Sequence, residues 1–362
     1  MDWIIEELAN LSLGDKRLNS RACKLLSPLS HNPTDSIPVA CSGAGETKAA
    51  YRFFDNDHVS AEKIQESHYE AALARMAQHD VVLIPQDTTV LNFSSQYKCQ
   101  DAGPTTKDSR HGIYLHNTIA VAPEKISLGH LSSKQWHREG LQNITKRQRT
   151  KKNYLTPIEE KESYRWLENY QRANGYAKKL PHTTIVSIAD REGDIYNIYE
   201  EAQEVFGNEG SKAHYLIRAR TDRRVCTEEG KRTDYKIKSA LRNQEPLGTF
   251  TLELPGTKKR KGRSAKLAIY AQRIYLSLPD KQKKKDGYKP VQITAILCIE
   301  LKPPKNAEAI EWLLITDLSA TTFEEAYEKI QWYTCRWQIE LFFKVLKSEC
   351  TIEKPQLTEK KF

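Results

Sequence analysis

The pattern of apolar and polar positions divides the chain into a helical start, a mixed middle, an alternating region and a helical end. Residues 1–79 carry apolar side chains at helical spacing, and Ser60 is a favourable N-cap for the last of these helices. Short apolar or alternating runs then predict strands at 81–84, 112–122, 126–136, 183–189 and 214–220. Helices are predicted between some of them, one opening at Thr156–Pro157 and running to about Ala173. This succession of strands and helices indicates an α/β fold of mixed α+β character.

A period-two pattern fills residues 221–320. Alternating segments occur at 248–254, 267–276, 290–300 and 309–316. Such alternation is typical of antiparallel strands with one covered face. We therefore expect an antiparallel β region between the mixed middle and the final helix.

The final helical segment, residues 322–349, contains no glycine or proline. It is apolar on most faces, so we expect a single buried helix. At about 100° per residue, its polar side chains form one stripe made of Tyr333, Arg336, Glu340 and Lys347. Buried charges need partners. The stripe is either a structural Arg–Glu ion pair or the lining of a functional site.

Composition and charge limit the classes of protein to which this chain can belong. The 362 residues are 39% hydrophobic and 28% charged, as in globular proteins, and no apolar run is long enough to span a membrane. The N-terminus has acidic residues where a signal peptide has basic ones, so a cytoplasmic location is expected. Seven scattered cysteines without a CxxC pair argue against a zinc ribbon or a disulfide scaffold.

The basic residues are unevenly distributed. The net charge is +9, and residues 256–290 hold twelve Lys and Arg against two Asp. A second basic run occupies 146–152. Each run alone is typical of a solvated loop, but two runs in one chain favour a polyanionic partner, most commonly nucleic acid. Basic residues also recur near the N-terminal helix starts, namely Lys16, Arg17, Arg21, Lys48 and Arg52.

Three carboxylates are candidate metal ligands. Asp87 and Asp190 each follow a predicted buried strand, and Glu340 lies on the final helix. Strand ends meet at one edge of a sheet, where a packed helix can add a third ligand. Mg²⁺ prefers such oxygen ligands, and a pair of divalent ions can promote phosphoryl transfer. The alternative is that these residues are only helix caps, turn residues and ion pairs.

The spacing Y-x2-R-x3-E-x6-K of Tyr333, Arg336, Glu340 and Lys347 resembles the signature of the insertion-sequence type-four family of DDE transposases. The resemblance extends from about residue 10 to the end of the chain. Its further segments are LGDKR (13–17), AAYRFF (49–54), DTT (87–89), ADREGDIY (189–196), LIR (216–218) and WLLIT (312–316).

This resemblance implies an RNase-H-like catalytic core in which Asp87, Asp190 and Glu340 hold two divalent cations, Mg²⁺ or Mn²⁺. It implies that the transposon end is contacted by Arg218, Tyr333, Arg336, Lys344 and Lys347. Trp312 would stack on a base flipped from the duplex as a hairpin forms. The expected divisions are an N-terminal helical DNA-binding domain (1–75), the first part of the core (76–220), a β insertion (221–320) and the signature helix (321–362).

The expected activity is therefore metal-dependent cleavage, hairpin formation and strand transfer at transposon ends. The expected partners are double-stranded DNA and, in the synaptic complex, a second copy of the chain, with no membrane involved. The resemblance would also predict a C-terminal dimerisation region beyond Lys347, and we expect this region to be missing. Two alternatives follow, a truncated DNA-binding inhibitor of transposition and an RNase-H-like nuclease.

Overall fold

A computed structural model describes residues 3–93, 102–105, 111–138, 155–204, 212–254, 256, 262–279, 289–305 and 308–354. This part of the chain is a mixture of helices and strands, so the predicted mixed α/β class is confirmed. It forms two compact units. Unit 1 comprises 1–80, 87–143 and 337–362, and unit 2 comprises 81–86 and 144–336. The basic run at 146–152 and eight of the twelve basic residues of 256–290 lie outside the described residues.

The helices are α1 (Trp3–Glu7), α2 (Lys16–His31), α3 (Ile37–Ala40), α4 (Ala44–Phe54), α5 (Ala61–Met76), α6 (Tyr164–Lys179), α7 (Tyr196–Glu204), α8 (Ile237–Arg242), α9 (Phe323–Thr334) and α10 (Trp337–Ser348). Short 3₁₀ helices occupy Ile158–Glu160 and Arg191–Gly193. Among the described residues, no helix has the length and apolar character needed to cross a bilayer.

The strands are β1 (Val81–Asn92), β2 (Gly103–Pro104), β3 (His111–Val121), β4 (Ser127–Trp136), β5 (Thr184–Ala189), β6 (His214–Arg218), β7 (Arg224–Cys226), β8 (Arg232–Lys236), β9 (Gly248–Leu254), β10 (Arg263–Leu276), β11 (Val291–Glu300) and β12 (Glu311–Thr316). Strand β1 belongs to both units, because the division falls between Gln86 and Asp87.

Unit 1 begins with α1–α5, whose apolar faces share a core that includes Leu13, Leu25 and Phe53. The side chain of Asp15 caps α2, and the Ser60 hydroxyl accepts the Lys63 N–H at the start of α5, as predicted. Helix α5 packs on β4, which pairs antiparallel with β3. Helix α10 also packs on β3.

Unit 2 is built on a sheet in the order β1-β5-β6-β12-β11-β10-β7-β8, with β9 on the edge of β10. The first half of β1 and β5 are parallel, as are β5 and β6. All later pairs are antiparallel, so the expected antiparallel region is confirmed. The alternation missed β7, β8 and α8, because these elements are too short to show a periodic pattern.

The prediction of one buried helix over 322–349 is wrong. Thr322 and Glu325 form a capping box that starts α9, as a good N-terminus should. Helix α9 then ends in a turn of 3₁₀ type, in which the N–H groups of Cys335 and Arg336 bond to carbonyls three residues back. Helix α10 is a separate helix that begins at Trp337, after this turn.

Helix α10 is also not buried all round. Three large apolar side chains on it are exposed, at 57% for Trp337, 39% for Leu341 and 49% for Val345. The helix predicted from Thr156–Pro157 is likewise wrong at its start: that segment forms a 3₁₀ turn, and α6 begins at Tyr164.

Candidate functional site

Asp190 follows β5 directly, as predicted, and its backbone is extended. Its Oδ1 accepts the Glu192 N–H at 2.8 Å, which caps the 3₁₀ helix Arg191–Gly193. Gly193 packs so tightly that an added Cβ would lie 2.4 Å from the Ala189 Cβ. The loop that carries Asp190 is therefore held close against the end of its own strand.

Asp194 stabilises the same loop through hydrogen bonds to its side chain. Its side chain is fully buried and accepts from the backbone N–H groups of Arg220 and Thr221, at 2.8 and 3.0 Å. The Arg223 guanidinium and the Tyr199 hydroxyl also donate to it, at 2.5 and 2.6 Å. Sequence reasoning missed this role, because three of the four partners lie 26 to 29 residues further along the chain and no local pattern connects them to Asp194.

A cationic and aromatic cluster in unit 2 contains several of the predicted DNA-contacting residues. Arg218 and Arg336 both hydrogen-bond to the buried Tyr333 hydroxyl, and Asp190 and Arg191 lie within electrostatic range. Burial raises the pKa of Tyr333, and burial lowers the pKa of Arg218. The phenol therefore stays neutral, and the Arg218 guanidinium is partly stripped of water.

Trp312 lies beside this cluster. It is on β12, its ring centroid is 6.4 Å from that of Tyr333, and the two rings are tilted by 56°. It is half-buried, whereas Leu313 and Leu314, the next residues on the strand, are buried. Trp312 is thus not enclosed as a core tryptophan would be.

Asp87 lies in unit 1, inside β1, and the prediction that it follows the strand is wrong. The strand continues to Asn92, because its second half pairs with β3, and the half-buried positions after Gln86 tolerate polar side chains. The Asp87 Oδ1 accepts the Thr88 N–H at 2.7 Å. The Thr88 hydroxyl lies 2.8 Å from Nδ1 of the fully buried His116 on β3.

Helix α10 in unit 1 carries Glu340, Lys344 and Lys347. Glu340 is half-buried and Lys344 is exposed. The Lys347 ammonium donates to the Val90 carbonyl on β1 at 2.7 Å and lies 3.9 Å from Glu353. The Glu353 carboxylate in turn accepts the Asn92 N–H at 2.8 Å. Lys347 therefore ties the end of α10 to β1, a structural role that the resemblance did not suggest.

The predicted polar stripe is divided between the units. Tyr333 and Arg336 belong to unit 2, whereas Glu340 and Lys347 belong to unit 1. Among the predicted carboxylates, Asp190 belongs to unit 2, and Asp87 and Glu340 to unit 1.

Carboxylate oxygens are the ligand type that Mg²⁺ and Mn²⁺ take. A carboxylate oxygen that accepts one backbone N–H, as in Asp190, keeps a further lone pair. The donor chemistry therefore fits a divalent ion. Within the described residues, no group of three or more His, Cys, Asp or Glu is arranged to hold a metal, so the three-carboxylate metal site stays a prediction.

Two family models match this chain. Residues 1–59 match the model described as transposase DNA-binding, and residues 208–360 match the model described as transposase DDE domain. The second match includes Arg218, Trp312 and the whole Tyr333–Lys347 signature. A DDE domain implies an RNase-H-like core and the use of divalent metal ions. Taken together, a DNA-binding domain and a DDE domain support the assignment of this chain as a DDE transposase.

Proposed function

We propose that the chain cuts and joins DNA at transposon ends, belongs to the insertion-sequence type-four family and is similar to the Tn-five transposase. The observation that best supports this is the gathering of Arg218 and Arg336 around Tyr333, with Asp190 in range. Two guanidinium groups beside a carboxylate, one of them partly desolvated, suit a phosphodiester, which they would hold by charge-assisted hydrogen bonds.

Each residue of this cluster has a distinct part. Arg218 and Arg336 bind phosphate oxygens, and the neutral Tyr333 hydroxyl fixes both guanidinium groups in place. Trp312, half-buried beside Tyr333, provides a flat surface on which an unpaired base can stack. Such stacking offsets the cost of removing a base from the duplex. Outside this cluster, in unit 1, Lys344 and Lys347 on α10 are the further proposed DNA contacts.

The carboxylates of Asp87, Asp190 and Glu340 would hold the divalent ions. When bound, two such ions activate a water or a 3′-hydroxyl and stabilise the leaving oxygen. Asp190 is oriented by its bond to the Glu192 N–H and by the buried Asp194 network. The side chain of Asp87 is oriented by its position on β1, and that of Glu340 by its position on α10.

The proposed reaction has three stages. A nick at the transposon end frees a 3′-hydroxyl, which attacks the opposite strand to form a hairpin. After the hairpin is reopened, the 3′ end attacks the target DNA. A homodimer pairs the two ends in a synaptic complex.

The test uses a labelled duplex taken from the DNA that flanks the gene, with Mg²⁺ or Mn²⁺ present. Wild type is compared with Glu340→Ala and with Glu349→Ala, an exposed glutamate just beyond α10 that serves as the matched control. We expect nicks and hairpins at one defined position with wild type and the control, and none with Glu340→Ala.

Two results would contradict the proposal. End-specific binding without cleavage by any of the three proteins would favour an inhibitor of transposition. Metal-dependent cleavage at many positions, independent of the end sequence, would favour a nuclease of the same fold.

A further inference from the structure

A cavity of about 660 Å³ lies within unit 2, away from the proposed catalytic cluster. It is formed where β6 and β11 begin and where β10 and β12 end, and α7 lines one side of it. Strands β5 and β6 are parallel, and Asp190 follows the end of β5, so the start of β6 lies at the opposite end of these strands. Arg218 also lies at the far end of β6. The cavity is therefore separate from the cluster of Arg218, Tyr333 and Arg336.

The part of the cavity lining that the structure describes carries four charged side chains, two of which are carboxylates. Asp317 pairs with Lys212 at 2.9 Å and with His214 at 3.0 Å. Glu228 accepts a hydrogen bond from the Tyr275 hydroxyl. Both carboxylates are thus engaged by neighbouring residues of the protein itself.

The two cations of the lining have no such partners. Arg273 lies on β10 and Lys289 lies just before β11, and both are exposed. Neither side chain forms a hydrogen bond or an ion pair with another residue within the described ranges. Arginine suits a phosphate through its paired N–H groups, and lysine suits it as a compact charge. The unpaired groups of the cavity therefore favour an anionic ligand.

Tyr215, at the start of β6, adds a third hydrogen-bond donor. The residue lines the cavity and is only 1% exposed, yet its hydroxyl bonds to no other residue that the structure describes. Burial, with a smaller effect of Asp317, raises the pKa of Tyr215, so the hydroxyl keeps its proton and can donate. A buried hydroxyl without a partner costs free energy, and a ligand in the cavity would supply the missing acceptor.

The uncharged part of the lining is held in place by its own hydrogen bonds. The Gln292 N–H donates to Oε1 of Gln203 at 2.8 Å, and the Gln203 amide donates to the Pro290 carbonyl at 3.1 Å. Ala202, Pro290 and Ile293 add apolar surface. The wall between α7 and β11 is therefore formed before any ligand binds, as is usual for small-molecule sites.

We propose that this cavity binds a small aromatic phosphate, the class to which nucleoside monophosphates belong. Arg273 and Lys289 hold the phosphate, the Tyr215 hydroxyl donates to the ligand, and the aromatic body packs on the apolar wall. The volume lies within the range of about 300–1,000 Å³ that is typical of small-molecule sites. No step of the proposed reaction uses this cavity, so the inference adds a second ligand rather than a further contact with the transposon end.

The experiment measures binding of adenosine monophosphate to the full chain by isothermal titration calorimetry. Divalent ions are left out, so that the phosphate cannot bind through a metal. The variants are Arg273→Ala, Lys289→Ala and Tyr215→Phe. The matched control is Lys266→Ala, which removes the same charge from an exposed position on β10 that does not line the cavity. Adenosine and inorganic phosphate are titrated separately, and the nucleotide titration is repeated with the end duplex bound.

We expect Arg273→Ala and Lys289→Ala each to weaken nucleotide binding by about tenfold, because each removes a charge-assisted contact. Tyr215→Phe should weaken binding by about fivefold. It should leave the free energy of unfolding unchanged, because the hydroxyl has no partner in the protein to lose. Lys266→Ala and the bound duplex should not alter the affinity, and adenosine and inorganic phosphate should each bind at least about tenfold more weakly than the nucleotide.

Four results would overturn the inference. Wild type may fail to bind the nucleotide at millimolar concentration, or Lys266→Ala may weaken binding as much as the cavity variants, which would show a general charge effect. Inorganic phosphate may bind as tightly as the nucleotide, which would show a simple anion patch. Displacement of the nucleotide by the end duplex would place the cavity on the DNA-binding surface. None of these results affects the proposed function, which depends on cleavage at a defined end position and its loss in Glu340→Ala.

Discussion

His130 stacks face to face on Phe342, with ring centroids 5.7 Å apart and planes 9° apart, and Phe342 is two residues beyond Glu340. The backbone N–H of His130 donates to Nε2 of His68 at 3.0 Å, so the proton of His68 is on Nδ1, which lies 2.5 Å from the Glu7 carboxylate. Arg75 also pairs with Glu7, at 2.7 Å. The helix that carries Glu340 is thus tied through β4 to α5 and α1.

Replacing Phe342 should disturb catalysis more than binding. Phe342→Ala removes the ring that locates α10 on His130, so the rate of end cleavage should fall by a larger factor than the affinity for the end duplex. Unfolding free energy should fall by about 2 kcal/mol, roughly half the cost of emptying a fully buried site, since Phe342 is only half-buried. Leu341→Ala, at an exposed neighbouring position, should alter neither the rate nor the stability; an equal loss in both variants would contradict the positioning role.

Stability should depend on pH through His130. Burial, with a smaller effect of His68, lowers the pKa of His130 from 6.5 to about 4, and its buried Nε2 has no hydrogen-bond partner among the described residues. Between the unfolded-state pKa of 6.5 and the folded-state pKa of about 4, the unfolded chain binds more protons at His130 than the folded chain does. The free energy of unfolding therefore falls as pH falls through this range. The expected loss is about 2 kcal/mol between about pH 7 and about pH 5.

The measurement is the urea midpoint at the two pH values for wild type and His130→Phe. The phenylalanine keeps a ring against Phe342 and removes the titration, so the variant should lose distinctly less stability at the lower pH. An identical pH dependence in the two proteins would show that His130 is not responsible.

Lys344 and Lys347 should behave differently although both are expected to contact DNA. Lys344→Ala, at an exposed position, should weaken DNA binding and leave stability unchanged. Lys347→Ala should in addition lower the unfolding free energy by about 1 kcal/mol, because it removes a charge-assisted bond to the Val90 carbonyl. Thermal unfolding and a DNA-binding titration of both variants check this; equal stabilities would contradict the anchoring role.

Asp194→Asn should be strongly destabilising. The buried carboxylate neutralises Arg223 and accepts two backbone N–H groups. Its loss leaves an uncompensated buried guanidinium, a change that typically costs about 3–5 kcal/mol. Glu168→Gln breaks the more exposed pair with Arg172 on α6 and should cost less than about 1 kcal/mol. Denaturant unfolding of the two variants gives the comparison.

The sequence pattern is sufficient to predict a feature whose cause lies in neighbouring residues. The sequence correctly predicts Asp190 at the end of its strand, because a run of apolar residues ends at a charge. It also correctly predicts Ser60 as an N-cap, because an N-cap acts within its own helix. The break at Cys335–Arg336 could not be predicted, since neither residue excludes helical geometry and the change is only from i−4 to i−3 bonding.

Features that depend on distant partners were also beyond sequence reasoning. The strand continues past Asp87 because β3 pairs with it, and Lys347 is drawn to a carbonyl 257 residues away. The family resemblance implies that Arg218, Tyr333 and Arg336 all contact the transposon end, but their contact with one another is not predictable, since no spacing between residues so far apart predicts contact.

Because Asp87 lies within β1, the direction of its side chain depends on the number of residues in the strand before it. It depends less on which residues these are. Side chains alternate between the two faces of a strand, and Val81–Pro85 are fixed opposite Thr184–Ile188. Inserting or deleting one residue between Pro85 and Asp87 would turn the carboxylate to the opposite face. Substitutions such as Val82→Ile leave its direction unchanged. Homologous enzymes should therefore vary in residue type along this segment while keeping the count of residues constant.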